Sequence, residues 1–270
     1  METRIKTLNI GGFILTSPEF TWAEPERIGG HKAPHYLFDL ILSQKRKFKR
    51  GLDMGTGEGF LAFALSKVCK EVVGVDIGKR SLEFAEENKR LNNINNIEFK
   101  YSDLYSNVKG KFDIIVSNPP FVFCPDDKGA RWFYGWAGKL GIEIELKIIE
   151  GFDKFLEKGG EAFLFLSSPV IYGNNILVKR LKKFVKERRY EIELQEVELF
   201  YIKELHDFYS SYNIDYFITY LAHIKNNSHP KLKIIKLNFF KRLAYKLYIK
   251  RMKKCSGTDI LQQLKKIFWD

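Results

Sequence analysis

The run from Lys49 to Val68 constrains this chain more than any other stretch. Lys49-Arg50-Gly51-Leu52-Asp53-Met54 reads as a strand, Gly55-Thr56-Gly57-Glu58-Gly59 as a glycine turn, and Phe60 to Val68 as an apolar-periodic helix. Glycines permit positive φ and close backbone approach, and the free N–H groups that open the next helix favour a polar or anionic group. A small cofactor is therefore expected at the turn. The dinucleotide fingerprint needs glycine at its first, third and sixth places, yet the sixth place here is Phe60, which disfavours NAD.

The strands that follow end in polar residues. Glu71 to Asp76 reads as a second buried strand whose terminal carboxylate could accept from two ribose hydroxyls, with Ile77 next in the chain. Ile97 to Tyr101 is a third, running into Ser102-Asp103-Leu104. Ile114 to Ser117 is a fourth, and it delivers Asn118-Pro119-Pro120-Phe121. Open parallel sheets bind ligands at these strand ends. The Asn118 side-chain oxygen and the Pro119 carbonyl can each accept a hydrogen bond from an NH2 group, and Phe121 can stack on the attached flat group. The prolines donate no backbone N–H and stiffen the path, so both acceptors stay aimed at one point. Nitrogen is the atom this turn suits; the bland alternative is a Pro-Pro turn that merely ends a strand.

On these residues, segment 48–168 resembles the class I S-adenosylmethionine-dependent methyltransferases, within them the small-domain group that methylates nitrogen through an N-P-P-[F/Y] turn. The resemblance implies that Asp53, Gly55, Thr56, Gly57 and Gly59 line the methionine end of the donor, that Asp76 with Ile77 holds its ribose, that Asp103 and Leu104 meet its adenine, and that Asn118, Pro119, Pro120 and Phe121 hold the acceptor. Tyr134 to Gly141 resembles the glycine-rich segment that follows the turn in such enzymes. It also implies a Rossmann-like, seven-stranded, mostly parallel α/β sheet with an antiparallel edge.

The rest of the chain fits that architecture. Helices are expected at 34–43, 81–91, 142–156 and 175–188, a buried strand at 161–166 after the Gly159-Gly160 turn, and a β-rich pair at 190–200 and 216–224. Residues 1–47 read as an N-terminal cap, 48–228 as the catalytic domain and 229–270 as a basic helical extension. The cap includes Phe13-Ile14-Leu15 and Phe20-Thr21-Trp22. No apolar run reaches membrane-spanning length, and the amino-terminal residues do not read as a signal peptide. Cys69, Cys124 and Cys255 are scattered without a C-x-x-C spacing, so a reducing cytoplasm fits. Cys124 reads as structural, since displacement at nitrogen needs no thiol nucleophile. His31 and His35 are separated by Pro34, which breaks the helix that would align them, and no metal is expected.

Charge is concentrated in the extension. Residues 229–270 hold ten Lys and two Arg against Asp259 and Asp270, so ten of the chain's +12 charges lie there. Phe239, Phe240, Leu243, Ala244, Leu247 and Tyr248 recur at helical spacing among the cations. Phosphate-backbone binding, an anionic membrane surface, and a solvated face on a helix whose apolar stripe docks to the core compete, and the expected partner is nucleic acid, RNA before DNA, through the Lys/Arg-rich residues 229–270. The loop Val122 to Trp136 carries Phe123, Trp132, Phe133, Tyr134 and Trp136 beside the clamp, either to stack bases or to close a hydrophobic seam. Within the resembled group, release-factor glutamine methyltransferases carry a larger helical domain before the core and usually Tyr at the fourth turn position, so the resemblance, with Phe121 there and a short cap, leans toward RNA. The expected reaction is methyl transfer from S-adenosylmethionine to an exocyclic nucleobase amine, with a glutamine amide or a small molecule as the alternative acceptor.

Overall fold

The computed structural model describes residues 5–18, 33–123, 137–188, 190–227 and 229–254. Phe20-Thr21-Trp22, His31, Cys124, Trp132 to Trp136 and residues 255–270 lie outside them. Five strands, β3 (Phe48–Met54), β4 (Cys69–Asp76), β5 (Ile97–Tyr101), β6 (Phe112–Ser117) and β7 (Leu156–Ile171), are parallel neighbours in the order β7-β6-β3-β4-β5. β10 (Ile214–Asn226) pairs antiparallel with β7 and with β9 (Tyr190–Phe200). The expected mostly parallel sheet is thus present with nine strands instead of seven, and β10 runs antiparallel between β7 and β9, so that β9 has the same sense as β7. Buried β6 and the end of β3 are apolar without alternation because helices cover both faces of the parallel part.

Helices α1 (Ala33–Leu42), α2 (Phe60–Val68) and α3 (Lys79–Leu91) flank the first half of the sheet. The expected helix at 142–156 is two: α4 (Glu143–Glu150) and α5 (Phe152–Phe155). The break falls at Gly151, where an added Cβ would stand 2.2 Å from the Tyr105 ring, whose hydroxyl donates to the Ile148 carbonyl at 2.8 Å. Gly159-Gly160 lies within β7 instead of preceding it, because the β6 pairing shifts register there. Helix α6 (Ile176–Glu187) starts where expected, with the Asn175 side chain accepting from the Val178 N–H.

Among the elements the sequence did not show are an N-terminal hairpin and a strand in the basic segment. β1 (Ile5–Ile10) and β2 (Phe13–Pro18) form a hairpin through Gly11-Gly12, both at positive φ. Its β2 strand is held by α3: buried Asn88 accepts from the Thr16 N–H at 2.6 Å and donates to the Thr16 carbonyl at 3.0 Å, and Asn92 treats Ile14 likewise. The second is β11 (Lys231–Ile235), inside the basic segment, which pairs parallel with β9 and adds a strand to the sheet; the short β8 (Asn174–Asn175) pairs with β7.

Helix α8 (Phe239–Lys254) follows the short α7 (His206–Ser211) and β10–β11 in the chain and lies on β9. Its docking differs from the sequence pattern. Arg242 bonds both oxygens of buried Glu196, while Tyr245, Tyr248 and Ile249 pack on the core. Phe239, Phe240, Leu243 and Leu247 face outward, because the ion pair and Ile249 fix the opposite side of the helix to the sheet.

Candidate active site

The glycine turn is closed by backbone bonds to the neighbouring strand: the Gly55 and Thr56 N–H groups both donate to the Val75 carbonyl, at 2.8 and 2.9 Å. Gly55 and Gly57 adopt φ of 74° and 54°, left-handed conformations that leave the turn without side chains over its concave side. Asp53, 1% exposed, ends the strand beneath; its Oδ2 accepts from the Thr56 hydroxyl at 2.7 Å and its Oδ1 has no partner. Burial pushes the Asp53 carboxyl up to about 7, against the lowering effect of the Thr56 bond. Glu58, half-buried in the same turn, is also raised to about 7 by burial. Sequence reasoning passed over Glu58, although it is the one charged residue among the turn's glycines.

Asp76 ends β4 with both oxygens engaged, Oδ2 by the Gly57 N–H at 2.9 Å and Oδ1 by the Gly78 N–H at 2.7 Å. Each oxygen retains a second lone pair for a ligand hydroxyl. The adjoining Ile77 is 53% exposed. Asp103 and Leu104 sit at the end of the next strand, where the Ser102 hydroxyl bonds the Leu104 carbonyl at 2.6 Å and the Ser102 N–H donates to the Asp76 carbonyl at 3.0 Å. Ser102, buried and bonded both ways, is a positioning residue the sequence did not single out.

Ser117 ends β6, its hydroxyl bonded to the Met54 carbonyl at 2.7 Å, which ties the Asn118–Phe121 turn to the strand carrying Asp53. Asn118 follows with its Oδ1 buried and without a hydrogen-bond partner. A buried amide oxygen in that state costs about 1–3 kcal/mol, which a donor from outside the chain would offset. Phe121 is buried with ring centroids 6.1 Å from both Phe165 and Phe200. Ala137 donates to the Val122 carbonyl at 3.1 Å, and Gly141, at φ 69°, lets the backbone pass so close that an added Cβ would stand 3.1 Å from the Phe121 carbonyl. That is the physical reason for glycine in the segment after the turn.

These two halves meet in a cavity of about 100 Å³. Asp53, Gly55, Thr56, Gly57 and Glu58 line one side and Asn118, Pro119, Pro120, Phe121 and Val122 the other, with Pro34, Phe60 and Leu61 closing it. Such a volume admits the reacting ends of two molecules rather than a whole cofactor. Gly59, Asp76, Ile77, Asp103 and Leu104 lie off this cavity. Gly59 opens α2, and the other four sit at the ends of the next two strands.

The family profile described as "Methyltransferase small domain" matches residues 36–192. The chain belongs to that family. It is a methyltransferase that uses S-adenosylmethionine. A protein of Methanocaldococcus jannaschii, provisionally named as a protein N5-glutamine methyltransferase, is 38% identical over 140 residues, 50% of this chain and 70% of that protein. The release factor glutamine methyltransferase of Buchnera aphidicola is 44% identical over 89 residues, 32% of each chain. Beyond the first of these, the chain spans half or less of the next curated relatives it matches. In structure, M. jannaschii TYW2 in complex with AdoMet superposes with a TM-score of 0.53 at 13% identity, over 83% of this chain and 88% of that one, a likeness of fold.

Cys69 in this methyltransferase is buried, and burial pushes its thiol up to about 12, so it is no nucleophile. His35 is half-buried, its ring 5.5 Å from Phe60 and its Nε2 buried without a hydrogen-bond partner. Among the described residues no helix is long and apolar enough to cross a membrane.

Proposed function

We propose that this methyltransferase transfers the donor methyl group to the side-chain amide nitrogen of a glutamine in a protein. The observation that carries the reading is the buried, unpartnered Asn118 Oδ1 on the cavity shared with the glycine turn. An acceptor NH2 offers the hydrogen bond this oxygen lacks, and the neighbouring Pro119 carbonyl is a second acceptor that no backbone N–H of the turn can occupy. A glutamine amide and a nucleobase amine look alike to this clamp. The choice between them rests on the relatives: several are named for glutamine methylation and others as ribosomal protein L11 methyltransferases, so that both groups are named for a protein acceptor.

S-adenosylmethionine supplies an electrophilic methyl group on sulfonium. The donor-side residues fit it: Asp53 Oδ1, buried and unpartnered, would accept from the donor's ammonium group, and the Asp76 carboxylate would bond the ribose. Asp103 and Leu104 would flank the adenine at the next strand end. On the acceptor side, Asn118 and Pro119 hold the NH2 so that its lone pair faces the methyl carbon. When bound, the donor would supply its methyl carbon to the nitrogen that Asn118 and Pro119 orient and would leave as the neutral thioether, and the nitrogen would release one proton to solvent. Positive charge develops on nitrogen during attack, and the two carbonyl oxygens stabilise it. Proximity supplies most of the rate.

The test is transfer from labelled S-adenosylmethionine into an extract of cells lacking this gene, followed by protease, nuclease and acid hydrolysis. A methylated glutamine gives protease-sensitive label that acid releases as methylamine, because hydrolysis of the amide frees the methylated nitrogen. Nuclease-sensitive label would instead identify the nucleobase amine. That second reading draws on the ten excess positive charges of residues 229–270, which suit a phosphate backbone.

A further inference from the structure

The outer face of α8 is unexplained by the reaction. On a helical wheel Phe239, Leu243, Leu247 and Phe240 fall within one arc of about 100°. They are 72%, 41%, 58% and 80% exposed, on the side opposite the Arg242–Glu196 pair and Ile249 that hold the helix to β9. Lys246, Lys250 and Arg251 are exposed on the same arc or at its borders, and Lys250 and Arg251 make no ion pair among the described residues. Four large apolar side chains on one exposed stripe, rimmed by cations, form a contact surface rather than a scatter of surface residues.

The helix is also aimed. Arg242, near its start, meets Glu196, while Lys253, near its end, donates to the Ile214 carbonyl at 3.3 Å and lies 4.5 Å over the Tyr201 ring. β9 runs in the sense of β7, so its 196-to-201 direction leads to the end of the sheet where β6 delivers the clamp. Phe200, one residue before Tyr201, touches Phe121. The basic half of the arc therefore lies toward the catalytic mouth and the apolar half away from it.

We infer that the outer face of α8 is the docking surface for the acceptor protein, which presents an apolar patch flanked by carboxylates beside the glutamine to be methylated. The occupant rests on the glutamine reading above. Its charge follows from complementarity with Lys246, Lys250 and Arg251, and its apolar patch from the Phe239–Leu247 stripe. A nearly neutral catalytic region selects no partner by charge; this helix does.

The experiment uses the full-length enzyme, with two acceptors: the unmethylated form, purified from cells lacking this gene, of the protein that the labelling identifies, and the short glutamine-bearing peptide that trypsin releases from that unmethylated protein. Two variants are compared with the wild type: Phe240→Ser with Leu247→Ser, and Lys250→Glu with Arg251→Glu. The expected result is a KM for the protein acceptor raised about tenfold or more, with kcat, the kinetics on the peptide and calorimetric donor affinity unchanged. An unchanged KM for the protein overturns the docking surface while leaving glutamine methylation standing. An equal rise for protein and peptide overturns it too, since the effect then lies in the catalytic cavity. Loss of a concentration-dependent dimer with KM unchanged assigns the face to a second copy of the chain. Nuclease-sensitive label overturns the glutamine reading itself and the protein occupant with it.

Discussion

On the proposed reading, the donor side and the acceptor side of the cavity are built on different principles. Around the glycine turn, most polar groups are satisfied within a stretch of sequence from Asp53 to Ser102: Val75 takes two N–H groups, Asp76 takes Gly57 and Gly78, and Thr56 takes one oxygen of Asp53. The acceptor side is held by aromatic packing from far along the chain, with Phe121 against Phe165 and Phe200, and Phe200 stacked on Phe217 at 5.1 Å. Each side keeps one buried oxygen open, Asp53 Oδ1 and Asn118 Oδ1. A backbone-bonded cradle can be reused for one donor, whereas a wall of side chains can be reshaped for different acceptors.

Removing either open oxygen should separate the two sides. For Asn118→Ala the expected loss in methyl transfer is about 10²–10³-fold, the cost of one transition-state hydrogen bond, with donor affinity by calorimetry unchanged. Equal loss of both would end the division of labour. Asp53→Asn should act the other way, weakening donor binding by about 1.5–3 kcal/mol while the donor-saturated rate changes less. Here a fall confined to the saturated rate would break the comparison.

Proton linkage sharpens the donor side further. Burial holds the free Asp53 and Glu58 carboxyls near 7, so both are largely protonated below that pH. A cationic donor favours their ionised forms. Its affinity should therefore rise with pH up to about 7, by at most about tenfold per unit for each group, and level off above. Asp53→Asn should flatten the slope; a pH-independent affinity between 5 and 8 would show that the carboxylates do not meet the donor's charge. The smallest effect is expected from Phe200→Leu, which removes a ring contact of about 0.5–1.5 kcal/mol and should raise the acceptor KM a few-fold with donor affinity untouched.

Legibility followed the same division. The turn at 55–59, the strand ends at Asp76 and Asp103, and helix α2 were readable because each depends on a local pattern: glycines, a buried run and a terminal carboxylate within a few residues. Glu58 lay inside that pattern and was missed because a single carboxylate in a turn looks solvated; only its place on the cavity beside Asp53 distinguishes it. Ser102 and Asn88 were invisible for a related reason, since a buried Ser or Asn gains meaning from the distant backbone it bonds. Helical spacing grouped Phe239, Phe240, Leu243 and Leu247 of α8 with Tyr248, which packs on the core instead, because spacing cannot say which side faces the sheet. That was decided by Glu196, forty-six residues earlier, which Arg242 had to neutralise.

By itself the sequence determined the strand-turn-helix order of the parallel core from β3 to β6, the glycine turn, the place of the N-P-P-F turn at a strand end and, through the family they point to, methyl transfer, because short-range geometry and residue chemistry are sufficient for these. Tertiary structure alone decided that the clamp and the turn share one cavity, that β11 extends the sheet, that Gly141 must pass under the Phe121 carbonyl, and that α8 turns its phenylalanines to solvent. Those outcomes depend on which distant surfaces are buried against one another, and burial is a property of the folded whole.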